Sequence, residues 1–227
     1  MIKHLSPAIA FMLLLPVFSF SQTDSTRSAA LAKSNEEVDR KAAGWTAGLK
    51  LSDKAKETRV TNAIVVHLKA IRDWHNSHPF STVPAGINPA TGNKLSELDR
   101  QVIANSAMPA SIHKDLMDVL KNELTPDQVE YILDQYTIGK VAFTMKGYKA
   151  IVPDLTSEEE AKITEFLKQA REQAIDYKNM NQISAIFEIY KTKSEQYLNS
   201  NGRNWRQLYK AYVDKVKAEK EAAAKKQ

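Results

Sequence analysis

Five short segments spaced along this chain carry the chemistry that starts an α-helix, and this constrains the fold more than any other feature. A Ser, Thr or Asp side chain accepts from backbone N–H groups that have no partner in the first helical turn. A Glu or Gln three residues later can return the bond to the cap. Ser34-Asn35-Glu36-Glu37 has this form, and Leu51-Ser52-Asp53 and Leu95-Ser96-Glu97 open in a similar way. Leu124-Thr125-Pro126-Asp127-Gln128 adds a proline at the first helical position, where its missing N–H costs nothing. Leu155-Thr156-Ser157-Glu158-Glu159 sets Glu158, Glu159 and Glu160 in a first turn, where the helix dipole favours negative charge.

Apolar residues at helical spacing follow these starts. Val60, Ile64, His67, Leu68 and Ile71 share one face, as do Val129, Ile132, Leu133 and Tyr136. Ile163, Phe166, Leu167, Ala170 and Ala174 form another such stripe, and Ile183, Ile186, Phe187 and Tyr190 a fourth. Trp205, Leu208, Tyr209, Tyr212 and Val216 mark a last helix. The Ser34 start predicts a short helix to about Ala43, broken by Gly44 and Gly48. Val141 to Met145 reads as extended, but one short strand without partners makes no sheet. His78 to Lys94 holds Pro79, Pro84, Pro89, Gly86 and Gly92 and is a loop longer than a connector needs. The pattern predicts an all-α fold: a single-domain helical bundle or irregular helical array over residues 34–220. A flexible polar segment at 22–33 precedes it, and a frayed basic end at 221–227 follows.

Residues 1–21 read as a signal peptide. Lys3 and His4 give a basic start, Ile9 to Phe20 an apolar run too short for a stable membrane anchor, and Ser19 and Ser21 the small residues that precede cleavage at Gln22. Export to the periplasm or the extracellular space is therefore expected. No second apolar run approaches ~18 residues, so no transmembrane segment is expected in the mature chain. The chain has no cysteine, which excludes disulfides, thiol catalysis and lipoprotein anchoring. Of the formal charge of +5, the stretch from Arg203 to Gln227 carries eight basic and three acidic residues, leaving the body close to neutral. Lysines at a helix C-terminus suit its dipole, and no nucleic-acid partner is expected.

The stretch Leu155-Thr156-Ser157-Glu158-Glu159 leads into Leu167-Lys168-Gln169-Ala170-Arg171-Glu172-Gln173-Ala174. Phe187-Glu188-Ile189-Tyr190-Lys191 leads into Tyr197-Leu198-Asn199-Ser200-Asn201-Gly202. With the Leu124-Thr125 start, these stretches resemble the domain-of-unknown-function 3826 family over about residues 51–205. The resemblance implies an exported protein of the kind found mainly in Bacteroidetes, with a carbohydrate ligand and no catalytic residues to carry over. Thr192 and Lys193 stand where relatives are expected to have glycine and arginine. Leu124-Thr125-x-x-Gln128 is also similar to the short motif of Spy/CpxP-type periplasmic helical proteins, which implies a chaperone or stress-response protein as the alternative.

Aromatic faces stack on the apolar faces of sugar rings while nearby polar groups fix orientation. Trp74, Tyr148, Tyr190 and Trp205 are the candidates for such a platform, with Trp74 at the loop edge the strongest. His75 and His78 lie beside Trp74, but no third ligand completes a metal spacing, so no metal and no cofactor are expected. Arg171 borders an apolar stripe and suits either a salt bridge to a carboxylate or a bidentate grip on a ligand oxygen. His67 falls on the stripe of its helix and is expected to be a packed, hydrogen-bonded core residue. Consecutive Glu158 to Glu160 point to different sides of a helix and cannot flank one glycosidic bond. With no nucleophile elbow or phosphate loop in the chain, a binding or accessory protein of the cell envelope is expected rather than an enzyme.

Overall fold

A computed structural model describes residues 19–89 and 91–225. Nine helices follow one another among them: α1 (Ser19–Ala47), α2 (Lys54–Ser77), α3 (Glu97–Asn105), α4 (Ala110–Glu123), α5 (Pro126–Thr137), α6 (Lys140–Ile151), α7 (Ser157–Ala174), α8 (Met180–Ser200) and α9 (Trp205–Ala224). The only β-type pairing among the described residues is an isolated bridge between Ile87 and Lys94. The fold is all-α, an irregular helical array. No helix among the described residues is long and apolar enough to cross a membrane. Most of the predicted signal peptide, residues 1–18, and the last two residues of the basic end lie outside the described residues.

The helix starts work as cap chemistry requires. Ser96 with Asp99, Thr125 with Gln128 and Thr156 with Glu159 each form a reciprocal capping box, and Asp53 accepts from the amides of Ala55 and Lys56. Ser34 does not act as a cap. Helix α1 begins well before it and runs through the polar 22–33 segment and Gly44 to Ala47. The alanine-rich Ser28–Lys33 stretch is a strong helix former, so the helix passes through a local start signal. Gly44 is exposed with open space around it and is tolerated, while Ala42 and Thr46 bury the far face. Val141 to Met145 is likewise helical rather than extended. Val141, Met145 and Tyr148 are buried at helical spacing on one face of α6, and that packing decides the conformation of a segment with ambiguous propensity.

Two apolar cores form. The first gathers α1, α2, α4 and α5 around residues such as Ile64, Leu120 and Ile132, and the second gathers α6, α7 and α8 around Ile163, Leu167, Ile186 and Phe187. They meet where α7 ends. Ala174 and Tyr177 belong to the second core, whereas Ile175, between them, belongs to the first. Ion pairs stitch the same seam: Arg171, buried on α7, reaches Glu130 at 2.7 Å and Asp134 at 2.6 Å on α5. Of the two roles Arg171 suits from the sequence, the salt bridge is the one it fills here. At the other end of α7, Arg203 holds Glu159 at 2.7 Å and Asp154 at 3.0 Å. A Schellman turn puts it there: Gly202, at φ 84°, lets the amides of Gly202 and Arg203 close onto the carbonyls of Asn199 and Leu198.

The long loop is a structured cover. Phe80–Thr82 form a single tight helical turn, the Arg100 side chain donates to the Val83 carbonyl, and Gln101 donates to the carbonyl of His78 at 3.0 Å. Helix α3 thereby pins the first part of the loop, from His78 to Val83.

Candidate functional site

The residues singled out from the sequence do not converge. Trp74 is half-buried and stacked on His78, with ring centroids 3.7 Å apart and planes 14° from parallel, so His78 occupies one face of the indole. His75 is only 2% exposed and faces inward. Tyr148 is buried and donates to the Lys191 carbonyl at 3.1 Å, with Trp205 tilted against it at 5.3 Å. Burial pushes the Tyr148 hydroxyl pKa up, in keeping with a packing role. Tyr190 is half-buried under the Lys193 ammonium, 4.2 Å from its ring centre. Of the seven, the pairs Trp74 with His78 and Tyr148 with Trp205 meet, and each pair is an internal packing contact.

What does converge is a set of polar side chains around Asp176, just past the end of α7. Its Oδ1 lies 3.0 Å from His67 Nε2, its Oδ2 lies 2.9 Å from His113 Nδ1, and its main-chain oxygen lies 3.0 Å from His75 Nε2. A carboxylate and a carbonyl can only accept, so each imidazole donates. His67 then presents Nδ1 as an acceptor, and the Tyr136 hydroxyl donates to it at 3.1 Å. The two histidine bonds hold the Asp176 carboxyl below its ordinary range despite burial, and the Asp176 carboxylate raises the pKa of His113. Burial lowers the pKa of His75 and raises that of Tyr136 well above the ordinary phenol value. His67 is the hydrogen-bonded core residue the sequence predicts. The chain Tyr136–His67–Asp176–His113 ties α5, α2 and α4 to the α7–α8 junction and fixes the orientation of its rings. No group of three or more ligand-type side chains among the described residues is arranged to hold a metal ion.

Tyr136 and the neighbour of Asp176, Tyr177, face a cleft of about 610 Å³ bounded by α1, α2, α5 and the start of α8. Leu68, Ile71, Tyr136, Tyr177 and Ile183 line its apolar part. Trp45, from the last turns of α1, stands against Tyr136 with ring centroids 4.7 Å apart. Ser34, Gln135 and Asn179 supply neutral hydrogen-bonding groups, and Lys41, Arg72 and Lys178 supply positive charge. Ile138 closes one edge. It sits in the left-handed region at φ 53° and is 72% exposed, an unusual conformation for a β-branched residue. A chain reversal between α5 and α6 made by two successive left-handed residues, Ile138 and Gly139, imposes it.

The sequence profile of a family described as a protein of unknown function (DUF3826) matches residues 35–218. The chain belongs to this family. The DUF3826 match runs from within α1 to within α9, so it takes in both cores, the Asp176 network and every cleft residue named above except Ser34. No curated protein matches the chain.

Sequence reasoning passed over Trp45, Tyr136, Tyr177 and Asp176. The first three have the apolar spacing of core residues, and they are partly that. Asp176 carried a signal: it is a charged residue set between Ile175 and Tyr177, both buried, and a carboxylate there needs partners.

Proposed function

We propose that the protein is an exported, non-catalytic binding component of the cell envelope, and that it holds a carbohydrate in the cleft between α1, α2, α5 and α8. The observation that carries this reading is the cleft's composition. The half-buried Trp45 ring and the small exposed parts of Tyr136 and Tyr177, each 7% exposed, line one concave surface with Ser34, Gln135 and Asn179. Sugar recognition needs ring faces for the apolar side of a pyranose and a few fixed polar groups for its hydroxyls. The Asp176 network behind the cleft holds Tyr136 rigid, which lowers the entropy lost when a ligand binds. Glu37 is the one carboxylate lining the cleft, whereas glycoside cleavage ordinarily takes a pair. The reading is therefore one of binding. Export rests on the basic start, apolar run and small residues of the first 21 positions.

A thermal-shift screen of the purified protein against mono- and oligosaccharides tests the proposal, because a ligand that binds only the native state raises its apparent stability. The expected result is a rise in melting temperature with at least one saccharide class. Gln135→Ala should abolish the rise while leaving the unliganded melting temperature within about two degrees. Gln135 is only half-buried, and such substitutions typically cost within ~0.5 kcal/mol. Suppression of aggregation of unrelated unfolding proteins, with no response to any saccharide, would put the chaperone reading in its place.

A further inference from the structure

We propose that the saccharide held in the cleft is anionic, carrying a carboxylate or a sulfate; this rests on the carbohydrate reading above. Lys41, Arg72 and Lys178 all line the cleft, against the single carboxylate of Glu37. Three cations around one concavity focus a positive field into it. Arg72 is paired with Asp73, and the two lysines supply the uncompensated part of that field. Lys41 sits with its ammonium 5.4 Å from the centre of the Trp45 ring, a contact that keeps its full charge. Lys178 donates to the neutral amide oxygen of Asn76 at 2.7 Å. Neither lysine has a carboxylate partner among the described residues, while nearby Lys69 pairs with Asp39. Arg72 is mostly covered and is anchored from two sides. Its Nε donates to Asp73, a side chain 61% exposed, and its Nη1 donates to Ser34 and Asn35 at 3.1 and 2.8 Å. With Nε and Nη1 committed in this way, Nη2 is the nitrogen of Arg72 left to donate, from a fixed position, to an acid oxygen.

The cleft wall formed by α8 adds to the same field. Lys178, Asn179 and Met180 come from the entry to that helix, which has no acidic residue in its first turn. The positive end of its dipole is therefore not offset from within the helix. Apolar and aromatic surface still makes up much of the cleft, so a bare inorganic ion would leave the open sides of Trp45 and Ile138 uncovered. A sugar ring bearing one acidic group uses both halves: the ring face meets the aromatic side, and the acidic substituent meets the three cations.

Isothermal titration of the full protein with matched pairs distinguishes the proposals: oligogalacturonate against its methyl ester, and a chondroitin sulfate oligosaccharide against its desulfated form. The acidic member of at least one pair should bind ten-fold or more tighter than its neutral counterpart. Raising salt from 0.05 to 0.5 M should erase most of that difference, because screening shortens the reach of exposed charges. Lys178→Met and Lys41→Gln, both at exposed positions that leave the cores intact, should each weaken the acidic ligand at least five-fold and the neutral one less than two-fold. Equal affinity for neutral and acidic members overturns the anionic assignment and leaves the carbohydrate reading standing. Inorganic sulfate binding as tightly as the sulfated oligosaccharide overturns the assignment to a saccharide. No binding by any member overturns both.

Discussion

Asp176 is where the structure makes its largest quantitative commitment. Replacing it with alanine removes the acceptor for His67 Nε2 and for His113 Nδ1 and leaves one donor unpaired on a buried and one on a half-buried imidazole. Breaking a buried pair by deleting one member costs about 3–5 kcal/mol. Asp176 keeps 17% of its side-chain surface in contact with solvent, which places the expectation at the low end, about 3 kcal/mol. For a domain of this size that corresponds to roughly 6–12 °C in melting temperature. The pH dependence sharpens the test. Asp176 holds the pKa of His113 above 6.5, so His113 contributes stability that is complete below 6.5 and is lost as pH rises through its raised value. The Asp176 carboxyl lies below 3.8, so its contribution is present above 3.8 and is lost as pH falls. The stability difference between wild type and Asp176→Ala should therefore be widest between pH 3.8 and 6.5 and narrow on both flanks. Denaturant unfolding across that range measures it, and NMR of the imidazole resonances should show His113 returning toward 6.5 in the variant. A loss below about 1 kcal/mol, or an unmoved His113 titration, refutes the account of the network.

Three further outcomes follow from other parts of the molecule. Ile138→Gly should raise the melting temperature by roughly 1–4 °C, because a β-branched residue in the left-handed region costs about 1–2 kcal/mol, glycine's greater loss of backbone freedom offsets about 0.5–1 kcal/mol of the gain, and little buried surface is lost at so exposed a site. The same substitution should weaken saccharide binding, since Ile138 lines the cleft; a destabilised variant contradicts the strain argument. Arg203 and the Thr156 cap hold the Glu159 carboxyl at about 2, below its ordinary 4.5, so the stability it supplies is present above 4.5 and is lost between 4.5 and 2. After allowance for solvent at the ion pair this is about 1–2 kcal/mol, and Glu159→Gln should flatten the acid limb of the stability curve by that amount.

The legible parts of the fold were those set by neighbours in sequence. The capping boxes at Thr125 and Thr156 and the start at Ser96 each involve residues three apart, and each begins a helix where expected. Ser34 failed as a start because the chain before it is itself helix-forming, so a cap signal marks a boundary only where the preceding residues cannot continue the helix. Val141 to Met145 misled for a different reason: its β-branched residues matter less than the shared face of Val141, Met145 and Tyr148. Much of the cleft lay beyond reach. Trp45, Tyr136 and Tyr177 come together through packing between distant helices, and His67 and His113 stand 109 and 63 positions from the Asp176 they both contact. Trp74 drew attention as the aromatic at the edge of a long loop, but that loop supplies the His78 that covers it. Exposure of a ring face is a property of the assembled fold, and spacing alone does not reveal it.

The chain has three tryptophans, Trp45, Trp74 and Trp205, which stand in the cleft, at the loop edge and against Tyr148 respectively. Their three indole N–H signals in a ¹H–¹⁵N NMR spectrum can therefore report where a saccharide binds. Each signal is assigned by its loss on substitution with phenylalanine. Titration with oligogalacturonate, and with the chondroitin sulfate oligosaccharide, should shift the Trp45 signal saturably with at least one of them and leave those of Trp74 and Trp205 in place. A saturable shift at Trp74 or Trp205 with Trp45 unmoved, or no shift at any of the three, would contradict the cleft as the binding site.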